Sequence, residues 1–352
     1  MDRIKGLGEY IRLPDFRQAL GIPAGAAVDL ALLAQGEYNI NYTFFHPVTG
    51  RRLVLRINAG SQMHLGDQIG YEYNALKLLE PSGRTPKPLY VDGSRRHLDH
   101  GIMVMEFLEG RALDYRRDLR QAAECLADIH SVPVANEMNS ERLFAASPQS
   151  VTTVSGLVMP EDPLRAILDE CDEMVQTYYH SELGELSVKK QIERMLKEGG
   201  KKAELVKGYR GYRCCINTEL NSGNFLINGK NRPNYLVDWE KPLYGDPVQD
   251  LGHFLAPTTT YWKTDVILTV TEMEAFAGQY ERAVRGRFDT AGLKERLDLF
   301  IPITCLRGIT WCAMAWVQYQ APGKMIRNED AFRKMGSYLS EAFLNEIENR
   351  FF

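Results

Sequence analysis

The sequence predicts an α+β protein with two lobes: a small antiparallel β-sheet lobe with one inserted helix, and a larger, mainly helical lobe. Short strand-like segments dominate residues 34–57 and 87–110, with helical periodicity between them at 68–80. Beyond residue 110 the pattern is mainly helical. The change of pattern places the boundary, so we expect a β-rich lobe over 1–105 and a helical lobe over 106–352.

The elements of the first lobe follow from local patterns. Residues 15–35 have a helical pattern, and "AQGEYNINYTFFHPVTGRRLVLRI" (34–57) then alternates aromatic and aliphatic residues around a "PVTG" turn, which predicts a hairpin. "QIGYEYNALKLLE" (68–80) has apolar residues at the spacing of one helix face. "KPLYVDG" (87–93) and "GIMVMEFLEG" (101–110) predict two more strands.

The second lobe is predicted to be helical apart from one short strand pair. "LRQAAECLADIHSVP" (119–133) predicts a helix that ends before its proline, and residues 163–208 are helical and highly charged. Strands are expected at 212–216 and 225–237, paired with each other. From residue 247 to the end the pattern is helical again.

Composition excludes several classes of protein. The 352 residues are 44% hydrophobic and 25% charged, with a net charge of −4, which is typical of a soluble globular protein and argues against a nucleic-acid partner. The six cysteines form no CxxC pair and the N-terminus has no apolar leader, so we expect reduced thiols in the cytoplasm. The apolar segment 301–319 contains Arg307, which favours a buried core helix over a membrane span.

The stretch "CINTELNSGNFL" (215–226) carries the first chemical signal. Glu219 stands five residues before Asn224, and Asp238 follows fourteen residues later in "LVDWE". Phosphoryl transfer needs an acid that orients the attacking hydroxyl and hard oxygen ligands for Mg²⁺. Glu219 is therefore the candidate catalytic residue, and Asn224 and Asp238 are the candidate metal ligands. The alternative for Asp238 is a structural salt bridge.

Five residues are candidates for binding the nucleotide. Gly36, between a helix and a strand, could let the backbone approach phosphates, although an ordinary turn is the alternative. Arg56 is a lone cation in an apolar strand and needs a partner, for which Glu72 on the following helix is placed; an exposed arginine and an exposed glutamate are the alternative. Glu106 and Leu108 lie on the strand and connector that would offer backbone groups to adenine, unless this is only a buried strand.

With these residues in order, the chain resembles the aminoglycoside phosphotransferase and choline kinase-like family, a branch of the protein kinase-like fold. The resemblance runs from about residue 30 to about 320, and its loop motif His-Gly-Asp is replaced here by Asn217-Thr218-Glu219. The matching positions are Gly36 and Asn39 in the first hairpin, Leu55-Arg56, Leu126 to His130, Val237-Asp238-Trp239-Glu240, Gly245-Asp246-Pro247 and Asp250-Leu251-Gly252. We interpret Asp246 and Asp250 as structural acids that hold the catalytic loop.

The resemblance implies a phosphotransferase that uses ATP or GTP with Mg²⁺ and acts on a hydroxyl of an amino-alcohol, an aminoglycoside or a sugar-like molecule. Glu219 keeps the charge of the aspartate but is one methylene longer. An active kinase, a pseudokinase-like nucleotide- or metabolite-binding protein, and a scaffold without either function therefore stay open. Acidic residues early in 161–204 could bind a cationic acceptor, and Tyr178, Tyr179 and Trp262 could stack on it; a solvated face and core aromatics are the alternatives.

Overall fold

The computed structural model describes residues 4–36, 38–147, 149–205, 211–229, 232–320 and 329–352. The chain divides into two compact units. The first comprises Met1–Ala112, Asp128–Met159 and Asn224–Tyr244, and the second comprises Leu113–Ala127, Pro160–Gly223 and Gly245–Phe352. The boundary predicted at residue 105 stays a prediction.

The first unit is built on a five-stranded antiparallel sheet with strand order β1-β2-β3-β5-β4. One helix follows β3, and two short helices precede β1, so the predicted small sheet with an inserted helix is confirmed. The elements are α1 (Leu7–Tyr10), α2 (Pro14–Leu20), β1 (Ala31–Gln35), β2 (Asn39–Phe45), β3 (Arg52–Asn58), α3 (Gln68–Leu79), β4 (Pro88–Asp92) and β5 (Gly101–Glu106).

The helix predicted over residues 15–35 is wrong beyond Leu20. Gly21, with φ +70°, adopts the left-handed conformation that commonly ends a helix, so α2 stops at Leu20. Residues 31–35 instead form the edge strand β1, paired with β2. Pairing with a neighbouring strand overrides the helical preference of leucine and alanine here.

The alternation of side chains along β3 places Arg56 on one face of the sheet. Leu55 and Ile57 lie in the apolar core cluster with Phe16 and Val104. Since successive side chains of a strand point to opposite faces, Arg56 points away from this core. In register it stands between Asn41 of β2 and Met103 of β5.

Two smaller sheets complete the first unit. One has the order β12-β11-β6, formed by β6 (Arg111–Ala112), β11 (Phe225–Ile227) and β12 (Tyr235–Leu236). The expected pairing of 225–237 with 212–216 is therefore wrong, because β11 pairs with β12 and β6. The other sheet, which the sequence did not predict, contains β7 (Met138–Glu141), β8 (Val151–Val154) and β9 (Leu157–Val158).

The second unit is mainly helical, as predicted. Its helices are α4 (Leu119–His130, of which Leu119–Ala127 belong to this unit), α5 (Pro163–Tyr179), α6 (Leu186–Glu204), α7 (Pro247–Leu255), α8 (Pro257–Thr264), α9 (Val270–Val284), α10 (Leu293–Gln320), α11 (Glu329–Tyr338) and α12 (Glu341–Phe351). It also contains β10 (Cys214–Ile216), and β13 (Leu243–Gly245) directly precedes Asp246, the N-cap of α7.

The long apolar helix α10 forms the core of the second unit. Within the described part of the chain it is the one helix long and apolar enough to cross a membrane. However, 67% of its most apolar stretch of 18 residues is buried in the protein. Gly252 and Gly308 mark close approaches, since a Cβ at either position would lie under 3.0 Å from Phe300 or Thr258 respectively. The prediction of a buried core helix at 301–319 is confirmed, and the cytoplasmic location stays a prediction.

Candidate active site

Arg56 and Glu72 meet in the first unit, as predicted. Arg56 is buried, and its Nη1 donates to the Glu72 carboxylate of α3. Its Nη2 donates to Asp238 Oδ1 at 3.1 Å and its Nε to Asn41 Oδ1 at 3.0 Å. One guanidinium therefore joins strand β3, helix α3 and the segment after β12.

The ion pairs decide the protonation state of Arg56. Burial opposes its charge, but the carboxylates of Glu72 and Asp238 outweigh burial and raise the pKa of the guanidinium. Burial also raises the pKa of Glu72, while the nearby guanidinium acts in the opposite direction. Removing one partner of a buried ion pair typically destabilises a protein by about 3–5 kcal/mol. Arg56 is thus a permanent cation fixed in one orientation.

The two predicted metal ligands flank one pair of strands. Phe225 of β11 pairs with Leu236 of β12, and Val237 N donates to Asn224 O at 2.8 Å. Asn224 therefore directly precedes this strand pair, and Asp238 comes two residues after its last strand. Asp238 has a φ of +68°, a conformation that costs a non-glycine residue about 1–3 kcal/mol. Its side chain is 42% exposed, against 6% for Arg56.

Glu240 adds a third acid that the sequence analysis did not single out. Its carboxylate accepts a hydrogen bond from Asn39 Nδ2. Burial and the carboxylate of Asp238 raise the pKa of Glu240 to about 7. In the sequence, the feature that could have identified Glu240 as a site residue is its position two residues after Asp238 in "LVDWE".

Arg56, Glu72, Asp238 and Glu240, which we call the Arg56 cluster, have an excess of negative charge. One guanidinium and three carboxylates give a formal charge of −2 when all four are ionised, a balance that suits a divalent cation. Across the described residues, no group of three or more His, Cys, Asp or Glu side chains has the arrangement of a metal site. Mg²⁺ commonly takes only one or two protein carboxylates and completes its coordination with phosphates and water.

The other predicted nucleotide-binding residues lie in the same unit. Glu106 ends β5, its N donates to Lys87 O at 2.9 Å, and its carboxylate pairs with Arg51 at the surface. Leu108 follows two residues later and is half-buried. Gly36 follows β1, where an added Cβ would meet only Asn39 O, at 3.8 Å. The turn itself therefore does not require glycine, and nucleotide binding by these residues stays a prediction.

In the second unit, the backbone around Glu219 is held by a buried carboxylate. Asp250 of α7 accepts hydrogen bonds from the backbone N–H of Asn217 at 2.8 Å and of Thr218 at 2.6 Å. Asn217 Oδ1 accepts from Glu219 N at 3.1 Å. The prediction that Asp250 holds the loop is confirmed. Asp246 instead accepts from Val248 N to cap α7.

Thr218 adopts a backbone conformation that favours glycine. Its φ is +70°, in the left-handed region that β-branched residues rarely occupy. The loop motif of the resembled family has glycine at this position. The loop of this chain therefore keeps a glycine-type turn although the residue is threonine.

The carboxylate of Glu219 is part of a three-residue ion-pair chain. Its Oε1 accepts from Arg307 Nη2 at 3.1 Å, and Arg307 Nε donates to Glu170 Oε2 at 2.7 Å. Burial opposes the charge of Arg307, but both carboxylates outweigh it and raise the pKa of the guanidinium. One signal for this ion-pair chain is present in the sequence: a lone cation in an apolar helix needs a partner. The identity of that partner is not evident from the sequence.

His253 lies beside this ion-pair chain and is neutral. Its Nδ1 is 2.9 Å from Leu220 O. Burial and the positive charge of Arg307 lower the pKa of His253 to about 4. A neutral imidazole leaves Arg307 as the cation next to Glu219.

One of the aromatic side chains proposed for the acceptor belongs to the buried core of the second unit. Tyr178 is buried and packs edge-on against Trp316, with ring centroids 6.2 Å apart. Trp262 packs edge-on against Trp311. Core packing, the alternative interpretation of these aromatics, is confirmed for Tyr178, whereas Trp262 is half-buried and its neighbour Trp311 is 39% exposed. Tyr179 is half-buried at the end of α5.

Comparisons with known proteins identify a family from a sequence model and a fold from solved structures. A model described as the phosphotransferase enzyme family matches residues 33–296, about three quarters of the chain. A sequence comparison with curated proteins finds no match.

Among solved structures, an ethanolamine kinase from Plasmodium vivax has a TM-score of 0.62 at 14% identity, covering 97% of this chain and 88% of that one. A microcompartment-associated aminopropanol kinase has a TM-score of 0.59 at 13% identity, with 95% of each chain covered. A spectinomycin phosphotransferase in complex with ADP and spectinomycin has a TM-score of 0.56 at 13% identity, with 94% of each chain covered. These likenesses confirm the predicted protein kinase-like fold.

Proposed function

Because the chain belongs to the phosphotransferase enzyme family, we propose that it transfers the γ-phosphate of ATP to a hydroxyl of a small molecule. The observation that carries this proposal is the Arg56 cluster, which combines a fixed cation for phosphates with an excess of carboxylates for a metal ion. The acceptor class that we propose is an amino-alcohol, an aminoglycoside or a sugar-like molecule. The solved relatives named for ethanolamine, aminopropanol and spectinomycin support this range.

Nucleotide binding is assigned to the first unit. Arg56, held by Glu72, would contact the phosphates, and the backbone at Gly36 would approach them closely. The backbone groups of Glu106 and Leu108 would bind the adenine ring. A guanidinium already held by carboxylates needs little reorganisation when a phosphate arrives, which favours binding.

Asn224 and Asp238 would hold Mg²⁺. Both offer hard oxygen ligands, and the carboxylates of the Arg56 cluster outnumber its single guanidinium, which favours a bound cation. When bound, the ion neutralises charge that develops on the transferred phosphate. The partly exposed Asp238 carboxylate supports this role, since a purely structural partner of Arg56 would not need to reach solvent.

We assign to Glu219 the role of accepting the proton of the acceptor hydroxyl. As the acceptor oxygen bonds to the γ-phosphorus, the bond between that phosphorus and the bridging oxygen of ADP breaks. The hydroxyl proton moves to the Glu219 carboxylate, and the products are a phosphate ester and ADP. Because Glu219 already accepts a hydrogen bond from Arg307, a nucleotide- or metabolite-binding protein with little transfer activity is the second candidate.

Thermal unfolding in the presence of nucleotides tests the proposal. A ligand at about a hundred times its dissociation constant adds roughly 2.7 kcal/mol of stability, enough to raise the unfolding midpoint by several degrees. We expect this rise with ATP and Mg²⁺ and a smaller rise with ATP and a chelator. The same measurement with GTP and Mg²⁺ shows whether the protein prefers adenine or guanine. Asp238→Ala should remove the Mg²⁺-dependent part, whereas Asp169→Ala, on the surface of α5, should retain it. No rise with any nucleotide would contradict the proposal.

A further inference from the structure

We infer that Arg307 is a positioning residue for phosphoryl transfer: it fixes the carboxylate of Glu219, and Glu170 fixes Arg307. This inference rests on the proposed function, in which Glu219 receives the acceptor proton. All three residues belong to the second unit, on helix α10, in the loop after β10, and on helix α5.

The need for such a residue follows from the length of Glu219. The backbone on its N-terminal side is tied to Asp250 by two short hydrogen bonds, and its own N–H is held by Asn217. The side chain beyond that backbone has one more rotatable bond than aspartate and loses more conformational freedom when it is ordered. A displacement of about 1 Å at a reacting group can lower the rate roughly a hundredfold. A fixed partner for the carboxylate is therefore required for efficient transfer.

Arg307 has the geometry to supply that partner. Its Nε is committed to Glu170 at 2.7 Å, and its Nη2 points at Glu219 at 3.1 Å. Since a guanidinium is planar, a bond at Nε fixes the direction of the donors at Nη2. Lysine has a single charged nitrogen on a flexible stem and cannot reproduce this pair of directions. The core helix α10 holds the stem of Arg307, whose side chain is only 22% exposed.

The charges around Glu219 favour its ionised form. Arg307 faces it from α10, and His253, neutral at physiological pH, lies beside it on α7. The acids nearby are Glu170 on α5, bound to the same guanidinium, and Asp250 on α7, satisfied by the loop backbone. Arg307 is thus the cation that keeps Glu219 ready to accept a proton, since a neighbouring opposite charge favours the charged form of a carboxyl.

A double-mutant cycle distinguishes positioning from a merely structural ion pair. We would measure ADP release from ATP and Mg²⁺ with ethanolamine, with 1-amino-2-propanol, with spectinomycin and with water alone. Arg307→Met should lower kcat about a hundredfold and leave the KM for ATP nearly unchanged. In the Glu219→Gln background the same change should alter kcat by less than about threefold, because the two residues act as a unit.

Two further readouts separate this role from lost stability. Arg307→Met should move the acid limb of the kcat profile to higher pH, because the neutral form of Glu219 gains when the cation is removed. Arg307→Lys, which retains the charge and the fold, should return the acid limb to its wild-type pH but should not restore the full kcat. The control is Arg296→Met, which lies on the same helix as Arg307 and removes the buried ion pair with Asp246. Its effect on kcat should be additive with that of Glu219→Gln.

The outcomes are distinct. Full kcat for Arg307→Met, or additive effects of Arg307→Met and Glu219→Gln, would overturn the positioning role while leaving the proposed transfer intact. No ADP from the wild-type protein with any acceptor or with water would overturn the transfer and the positioning role together. Nucleotide binding, measured separately by thermal unfolding, would then support the binding-protein alternative.

Discussion

Replacing Glu240 by glutamine should make the protein more stable at neutral and alkaline pH. The pKa of Glu240 is raised from the ordinary 4.5 to about 7 by burial and by the Asp238 carboxylate. Between these two values the folded protein binds more protons at this site than the unfolded chain, so stability falls as the pH rises from 4.5 to 7. Glutamine removes the titration and retains the oxygen that accepts from Asn39.

The magnitude follows from the difference between the two pKa values. One pKa unit corresponds to about 1.4 kcal/mol. Ionising Glu240 therefore costs roughly 3 kcal/mol more in the folded protein than in the unfolded chain, and this full cost is reached above pH 7. The wild-type protein and Glu240→Gln should therefore have similar stabilities near pH 4.5. Above pH 7 the variant should be more stable by up to roughly 3 kcal/mol. Saturating Mg²⁺ at Asp238 should narrow this gap, because a nearby cation favours the ionised carboxyl.

Urea unfolding at several pH values from 4.5 to 8 measures this gap, with the unfolding free energy extrapolated linearly to water. The matched control is Glu9→Gln, an exposed carboxyl of the same unit, whose stability curve should stay parallel to that of the wild-type protein. A parallel curve for Glu240→Gln as well would refute the reasoning. It would mean that the Arg56 cluster does not hold an excess of negative charge.

Three other substitutions test the remaining structure. Glu219→Asp should lower kcat at least tenfold, because the shorter side chain cannot reach Arg307; a rise in kcat would instead indicate a decayed enzyme with a restored base. Gly36→Ala should leave the unfolding midpoint unchanged, since its Cβ meets only Asn39 O, but should weaken ATP binding in titration calorimetry; unchanged affinity would reduce Gly36 to an ordinary turn residue. Asp250→Asn should cost about 3 kcal/mol in urea unfolding, as an amide cannot accept both backbone bonds equally well, and a loss below 1 kcal/mol would contradict its role in the loop.

The sequence predicted those parts of the site that local chemistry determines. Arg56 stands alone in an apolar strand, so a buried acid partner could be expected, and Glu72 on the next helix is that partner. By contrast, the pairing of β11 with β12, which brings the backbones of Asn224 and Val237 together next to Asp238, was not predicted, because 225–237 was expected to be one strand paired with 212–216. The conformation of β1 was missed, because short runs of leucine and alanine fit both a helix and an edge strand.

The sequence could not predict the partners that packing brings from distant helices. Glu219 and Arg307 are 88 positions apart, and Arg307 and Glu170 are 137 apart. A lone arginine in an apolar helix requires a charged partner, but many acids in the chain satisfy that requirement equally well. The packing of α5 and α10 selects Glu170, and the turn held by Asp250 determines where Glu219 points.

The most direct test of the central claim is transfer of label from ATP labelled in its γ-phosphate to a hydroxyl acceptor. Ethanolamine, 1-amino-2-propanol, spectinomycin and simple sugars would each be incubated with the full chain and Mg²⁺, and products separated from ATP and inorganic phosphate. We predict one labelled phosphate ester formed in equal amount to ADP, lost in Asp238→Ala and strongly reduced in Glu219→Gln. Binding of ATP and Mg²⁺ with no labelled ester and no ADP from any acceptor would contradict the account, and would leave a nucleotide-binding protein that retains the fold without the reaction.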